Sequence, residues 1–172
     1  MKPNKLSLFL TIGIVLLLGI SAFSQKKFSN SNVAYTFTLP EDDWKMTVKP
    51  SSISPNVEYV YKYRNDGHMQ VRKLKVKKGA LFSEIIRGEE QRLQFTPGYV
   101  AGKQERFSGA LTGRVFNYEF VRSGRTMAGR SYFLRVNDTL VYLVRFTGRK
   151  DKLRFLRNQT DSIARTFKIN KS

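Results

Sequence analysis

The sequence predicts an α+β domain in which an antiparallel β-sheet is packed between two main helices, an α/β/α sandwich. Apolar–polar alternation comes in blocks divided by turn residues, the mark of sequential hairpins. Those blocks are interrupted once, and closed once, by a stretch of helical periodicity. The later strands are apolar on both faces, so each face needs a cover. A doubly wound parallel sheet would instead alternate strand and helix along the chain.

The first 24 residues read as an export signal: Lys2 and Lys5 form a positive end, Leu6 through Ile20 is apolar, and the small residues Ala22 and Ser24 precede an expected cut before Gln25. The alternative is an uncleaved inner-membrane anchor over residues 6–23, which approaches the roughly 18 apolar residues of a spanning helix. No cysteine follows, so lipid attachment through a thiol is excluded. Residues 25–32 are polar and basic and are expected to be a flexible lead-in; residues 33–170 suit one domain.

Residues 33–39 alternate with period two and predict a strand that Pro40 ends. The acidic turn Glu41-Asp42-Asp43 and a short strand over residues 45–49 follow, then a Pro- and Ser-rich loop from Pro50 to Pro55. Two alternating runs flank Asn65-Asp66-Gly67-His68, and Asp-Gly is a favoured two-residue hairpin centre. Pairing Asn65 with His68 would set Tyr59 opposite Leu74 and Val57 opposite Val76, with Glu58 facing Lys75. The outer face would then carry a comb of Lys62, Arg64, Lys73, Lys75 and Lys77.

Ala80 to Phe95 predicts an amphipathic helix with Leu81, Phe82, Ile85, Ile86 and Leu93 as its apolar stripe, weakened at Gly88 and closed by Pro97-Gly98. From Tyr99 to Thr147 three or four strands are separated near Gly109, at Ser123-Gly124 and at Asn137-Asp138. Two-residue turns would gather Phe116, Phe133, Tyr142 and Phe146 on one face, and Val115, Tyr132, Val141 and Leu143 on the other. A second helix is expected from Arg149 to Phe167, with Leu153, Leu156, Ile163 and Phe167 turned inward.

The run Phe37-Thr-Leu-Pro-Glu-Asp-Asp-Trp44, the central helix, Gly113-Arg-Val-Phe-Asn-Tyr-Glu119, the long segment from Tyr132 to Gly148 and the terminal helix together resemble the PsbP-like group of exported proteins. The resemblance spans nearly all of the chain after the signal. It implies an antiparallel sheet between helices and a non-enzymatic accessory or assembly role, as for the photosystem II extrinsic protein that gives the group its name. Its motifs are structural, no binding motif matches residue by residue, and a role in photosynthesis is not implied.

Absence of cysteine removes disulfides, thiolate metal sites and thiol nucleophiles. The single histidine, His68, lies at the expected turn, without a spaced second histidine for zinc. Glu41-Asp42-Asp43 lacks the ligand and glycine pattern of a Ca²⁺ loop, and adjacent Glu89 and Glu90 on a helix point apart. Scattered glycines make no phosphate loop, so no catalytic residue, metal or cofactor is expected.

Charge is the remaining signal. The chain carries a formal +18, and loss of the signal leaves 29 of its 31 basic side chains against 13 acidic ones. For an exported chain this points to an anionic envelope component, an acidic protein partner or a membrane surface. The residues expected to meet it are the strand comb and the helical set Arg149, Lys150, Lys152, Arg154 and Arg157. The leading expectation is an envelope binding or assembly protein in the periplasm or secreted. The alternatives are a hydrolase with an unrecognised carboxylate site and an extracytoplasmic binder of polyanions, nucleic acid or glycan.

Overall fold

A computed structural model describes residues 25–170; the export signal or anchor expected over residues 1–24 lies outside them. Among the described residues no helix is long and apolar enough to cross a membrane. The elements run β1 (Lys26–Phe28), β2 (Tyr35–Leu39), β3 (Trp44–Val48), β4 (Val57–Tyr61), β5 (Gly67–Lys75), α1 (Phe82–Leu93), β6 (Val100–Ser108), β7 (Thr112–Arg122), β8 (Arg125–Asn137), β9 (Leu140–Arg149), α2 (Lys150–Phe155), α3 (Arg157–Thr166) and β10 (Lys168–Ile169). Strands β3 to β9 build a seven-stranded antiparallel sheet in the order β3-β4-β5-β9-β8-β7-β6, and β1-β2-β10 build a small three-stranded one.

The two apolar faces of the large sheet do receive separate covers. On one, Ile86 of α1 packs with Phe116, Tyr118, Phe133, Val141 and Leu143. On the other, Tyr35 and Phe37 of β2 stack on Phe167, and the same core takes in Tyr132, Val144, Phe146, Leu153 and Ile163. This second cover corrects the expected pair of long helices. The terminal helix breaks at Leu156, whose buried side chain keeps its place in the core while its backbone leaves helical geometry. Two short helices and the small sheet share the work.

Residues 25–32, expected as a flexible lead-in, also belong to the fold. Lys27 pairs with Thr38 and Phe28 with Phe37, and Phe28 is buried against Phe37, which places β1 on the edge of β2. The Phe28 ring meets Tyr35, Phe37 and Tyr59 there.

Two registers differ from expectation, each by an odd number of residues, which turns a strand over. Tyr61 pairs with Gly67 and Val57 with Val71, so the β4–β5 connection is a five-residue loop over residues 62–66, not a two-residue turn at Asp66-Gly67. Lys62 takes a positive φ of 50° at its start, and Gly67 sits where a Cβ would meet Leu156 and Tyr61 at 2.9 Å. Tyr59 therefore faces Met69 in the core, while Leu74 and Val76 turn to the α1 side. In β8, a bulge between Arg135 and Asn137 inserts one residue before the hairpin, so Val141 and Leu143 join Phe133 and not Tyr132. The Ser123-Gly124 turn matches expectation, with both residues at positive φ, 49° and 70°.

Candidate functional site

Strand β5 outruns its neighbour. β4 stops at Val57 opposite Val71, whereas β9 accompanies β5 as far as Lys75. Beyond Val71 one edge of β5 has no strand against it among the described residues. Between this edge and α1 lies a groove of about 560 Å³ lined by Arg72, Lys73, Lys75, Lys77 and Arg92 against Glu84 and Glu89. Leu74, Val76 and Ile85 give it an apolar floor. Helix α1 starts where Glu84 Oε2 accepts the Leu81 N–H at 3.0 Å, and Arg135 donates to the Ala80 carbonyl at 2.6 Å, fixing the helix against the sheet.

At the inner end of the groove Glu89, 7% exposed, faces three arginines. Arg72 lies 3.0 Å away from β5, Arg145 2.8 Å from β9, and Arg92 3.2 Å from the same helix. One carboxylate thus meets three guanidinium groups, and Arg145 Nε is buried without a hydrogen-bond partner among the described residues. Sequence reasoning set Glu89 aside. Its position one turn after Ile85 and Ile86, on the stripe that faces the sheet, was the signal that could have found it.

The expected basic comb is split by the register. Lys73, Lys75 and Lys77 lie along the strand edge that bounds the groove, exposed, with no carboxylate partner among the described residues. Lys62 and Arg64 lie in the loop at the other end of β5, Lys62 paired to Asp43 at 3.1 Å and Arg64 3.9 Å from Glu58. Lys73 and Lys75 also point to the face opposite Glu58, since they continue the row of Met69 and Val71.

His68 is likewise no turn residue. It lies on β5 and its Nε2 is 2.9 Å from Glu58 Oε2, while Gln70 donates to Oε1 at 2.9 Å. Partial burial works against the Glu58 charge, but the hydrogen bonds from His68 and Gln70 and the nearby positive charge outweigh it and hold the carboxyl below its usual range.

The helical cations sit elsewhere and are mostly neutralised. Arg149 pairs with Asp151 at 2.9 Å, Lys150 with Glu119 at 2.8 Å and Arg157 with Glu105 at 3.8 Å. Lys152 and Arg154 have no carboxylate partner among the described residues. Lys150, Arg154 and Arg157 rim a second cleft of about 770 Å³ over β6–β8. Its floor is Arg130, 8% exposed, which donates to Asn117 Oδ1 at 2.7 Å and Asp161 Oδ1 at 2.8 Å; the Tyr132 hydroxyl bonds to Asp161 and Thr160 beside it. Burial raises the Tyr132 phenol far above its ordinary value.

Carboxylates do line this cleft, but each is committed to a cation. Arg149 holds Asp151 down at about 2, Glu119 answers Lys150, and Glu105 stands 3.8 Å from both Arg130 and Arg157. As they stand, these groups supply ion-pairing and hydrogen bonding to the cleft. Among the described residues no group of His, Asp or Glu is placed to hold a metal ion.

Comparison with solved structures places this architecture. The Ran-binding protein Mog1p of Saccharomyces cerevisiae superposes with a TM-score of 0.58 at 12% identity, over 86% of this chain and 96% of that one. The cyanobacterial PsbP (CyanoP) of Synechocystis gives 0.57 at 14% identity over 88% and 95%. It shares their fold. LpqN of Mycobacterium tuberculosis, involved in cell envelope biogenesis, gives 0.54 at 15% identity over 86% and 92%. No protein-family model matches the chain, and no curated protein matches it. The PsbP-like resemblance read from the sequence is therefore one of structure.

Proposed function

We propose that the protein is a non-enzymatic accessory or binding protein of the bacterial cell envelope, exported by its amino-terminal signal, that docks electrostatically on an anionic partner. The observation that carries the reading is the state of the lysines. Lys73, Lys75 and Lys77 stand exposed and free of carboxylates among the described residues, along the strand edge that bounds the groove, whereas most cations of the 149–157 segment are already paired. Unpaired surface charge is what remains available to a partner. The envelope role of LpqN and the protein-binding role of Mog1p are of the same general kind.

Docking of this sort is steered at long range and screened by salt, over roughly 8 Å at physiological ionic strength. Pull-down from envelope extracts at low and high salt tests it, with Lys73, Lys75 and Lys77 changed together to glutamate. Capture that is lost on both treatments supports the reading; capture indifferent to salt and charge reversal overturns it.

A further inference from the structure

The basic groove ends in a strand edge, and the edge has a chemistry of its own. The Val76 N–H donates to the Thr139 carbonyl at 2.9 Å, toward β9. In an antiparallel ladder the direction of these groups alternates along the strand, so the main-chain N–H and C=O of Lys73 and Lys75 point the other way, to the side that β4 leaves open beyond Val71. The residues whose backbone groups face the open side are thus the ones whose ammonium groups have no carboxylate partner among the described residues.

We propose that this edge takes up an extended acidic segment of a partner protein as an added β-strand, a refinement that rests on the docking reading above. The occupant is specified from both of its faces. Side chains directly opposite Lys73 and Lys75 need to be aspartate or glutamate, because cross-strand neighbours of opposite charge attract and like charges repel. The alternating side chains between them fall over the α1 side, where Leu74, Val76 and Ile85 supply an apolar floor and nothing stands within 4 Å of a Cβ built at Gly88. Alternating acidic and apolar residues meet both requirements. The same lysines exclude a second copy of this edge, since pairing β5 with β5 would set lysine against lysine.

A short synthetic peptide alternating glutamate and valine is the probe, with a sister peptide N-methylated at the positions whose amides would face β5. The parent peptide is expected to bind, to slow hydrogen exchange at the Lys73 and Lys75 amides, and to bind at least about tenfold more weakly to the variant with Lys73→Glu and Lys75→Glu. The N-methylated peptide needs no protein variant and is expected not to bind. Equal binding of the two peptides, or binding without protection of those amides, overturns strand addition while leaving electrostatic docking in place. Binding to vesicles containing phosphatidylglycerol but not to the peptide overturns it in the same way. Failure of the peptide, the vesicles and the envelope pull-down together overturns the docking reading as well.

Discussion

Arg145 Nη2 donates to Glu89 Oε2 at 2.8 Å, tying the inner strand β9 to helix α1 through a buried charge. Removing one partner of such a pair costs more than the pair contributes, because the other is left charged and dry. Glu89→Ala strands Arg72 and Arg145 together, so a loss of about 3–5 kcal/mol is expected, read as a lower urea midpoint. Glu89→Gln keeps the shape and an acceptor and falls between. An unchanged midpoint for the alanine variant would mean the arginines find other partners.

Reversal of Lys73, Lys75 and Lys77 and reversal of Lys62 and Arg64 make opposite predictions for partner capture. The loop pair is already occupied by Asp43 and Glu58, so its reversal leaves capture intact. The groove set has no such commitment, and its reversal abolishes capture. Pull-down with each variant at one salt concentration checks the contrast, and equal loss from both would reduce the effect to net charge.

Tyr118 fills the place of a side chain at Gly129: a Cβ there would lie 2.0 Å from the ring. The ring is buried and stacks between Phe116 and Phe120, so it has little room to retreat. Gly129→Ala is expected to cost about 1–3 kcal/mol by overpacking, and Tyr118→Ala in the same chain to relieve the clash in part. Additive losses in a double-mutant cycle would contradict the contact.

Acid unfolding tests Glu58. Its carboxyl is held below the ordinary 4.5 in the fold, so the charged form is favoured there over the unfolded chain. Its contribution is complete above the unfolded value and is lost as pH falls through the folded one. Stability measured from pH 6 downward should therefore decline less steeply in Glu58→Gln than in the parent. Parallel curves would show that the His68 and Gln70 contacts do not hold the charge.

Element type was legible where one period ran unbroken: β2, α1 and the Ser123-Gly124 hairpin lie within a residue or two of expectation. Register was not, because it depends on how many residues a connection uses. Asp66-Gly67 has the composition of a tight turn, but Gly67 is needed against Leu156 and Tyr61, and the loop lengthens to five residues. The Arg135–Asn137 bulge leaves no mark in composition either. Each miscount turned a strand over, and the first divided the basic comb. Lys73, Lys75 and Lys77 were found as cations; their freedom from carboxylates, and the pairing of Glu89 with Arg72 and Arg145, depend on residues distant in sequence.

Strand β2 has a consequence in time. Its partners are β1, at residues 26–28, and β10, at residues 168–169, so the cover of one face of the sheet joins stretches from opposite ends of the described chain. A chain that emerges amino terminus first cannot finish that cover until residues 167–169 are out. Until then Tyr35, Phe37 and Tyr142 lack Phe167, and aromatic surface waits in the open. Completion of this fold is tied to the emergence of residues 167–169, and a molecule caught before then would offer chaperones a greasy face.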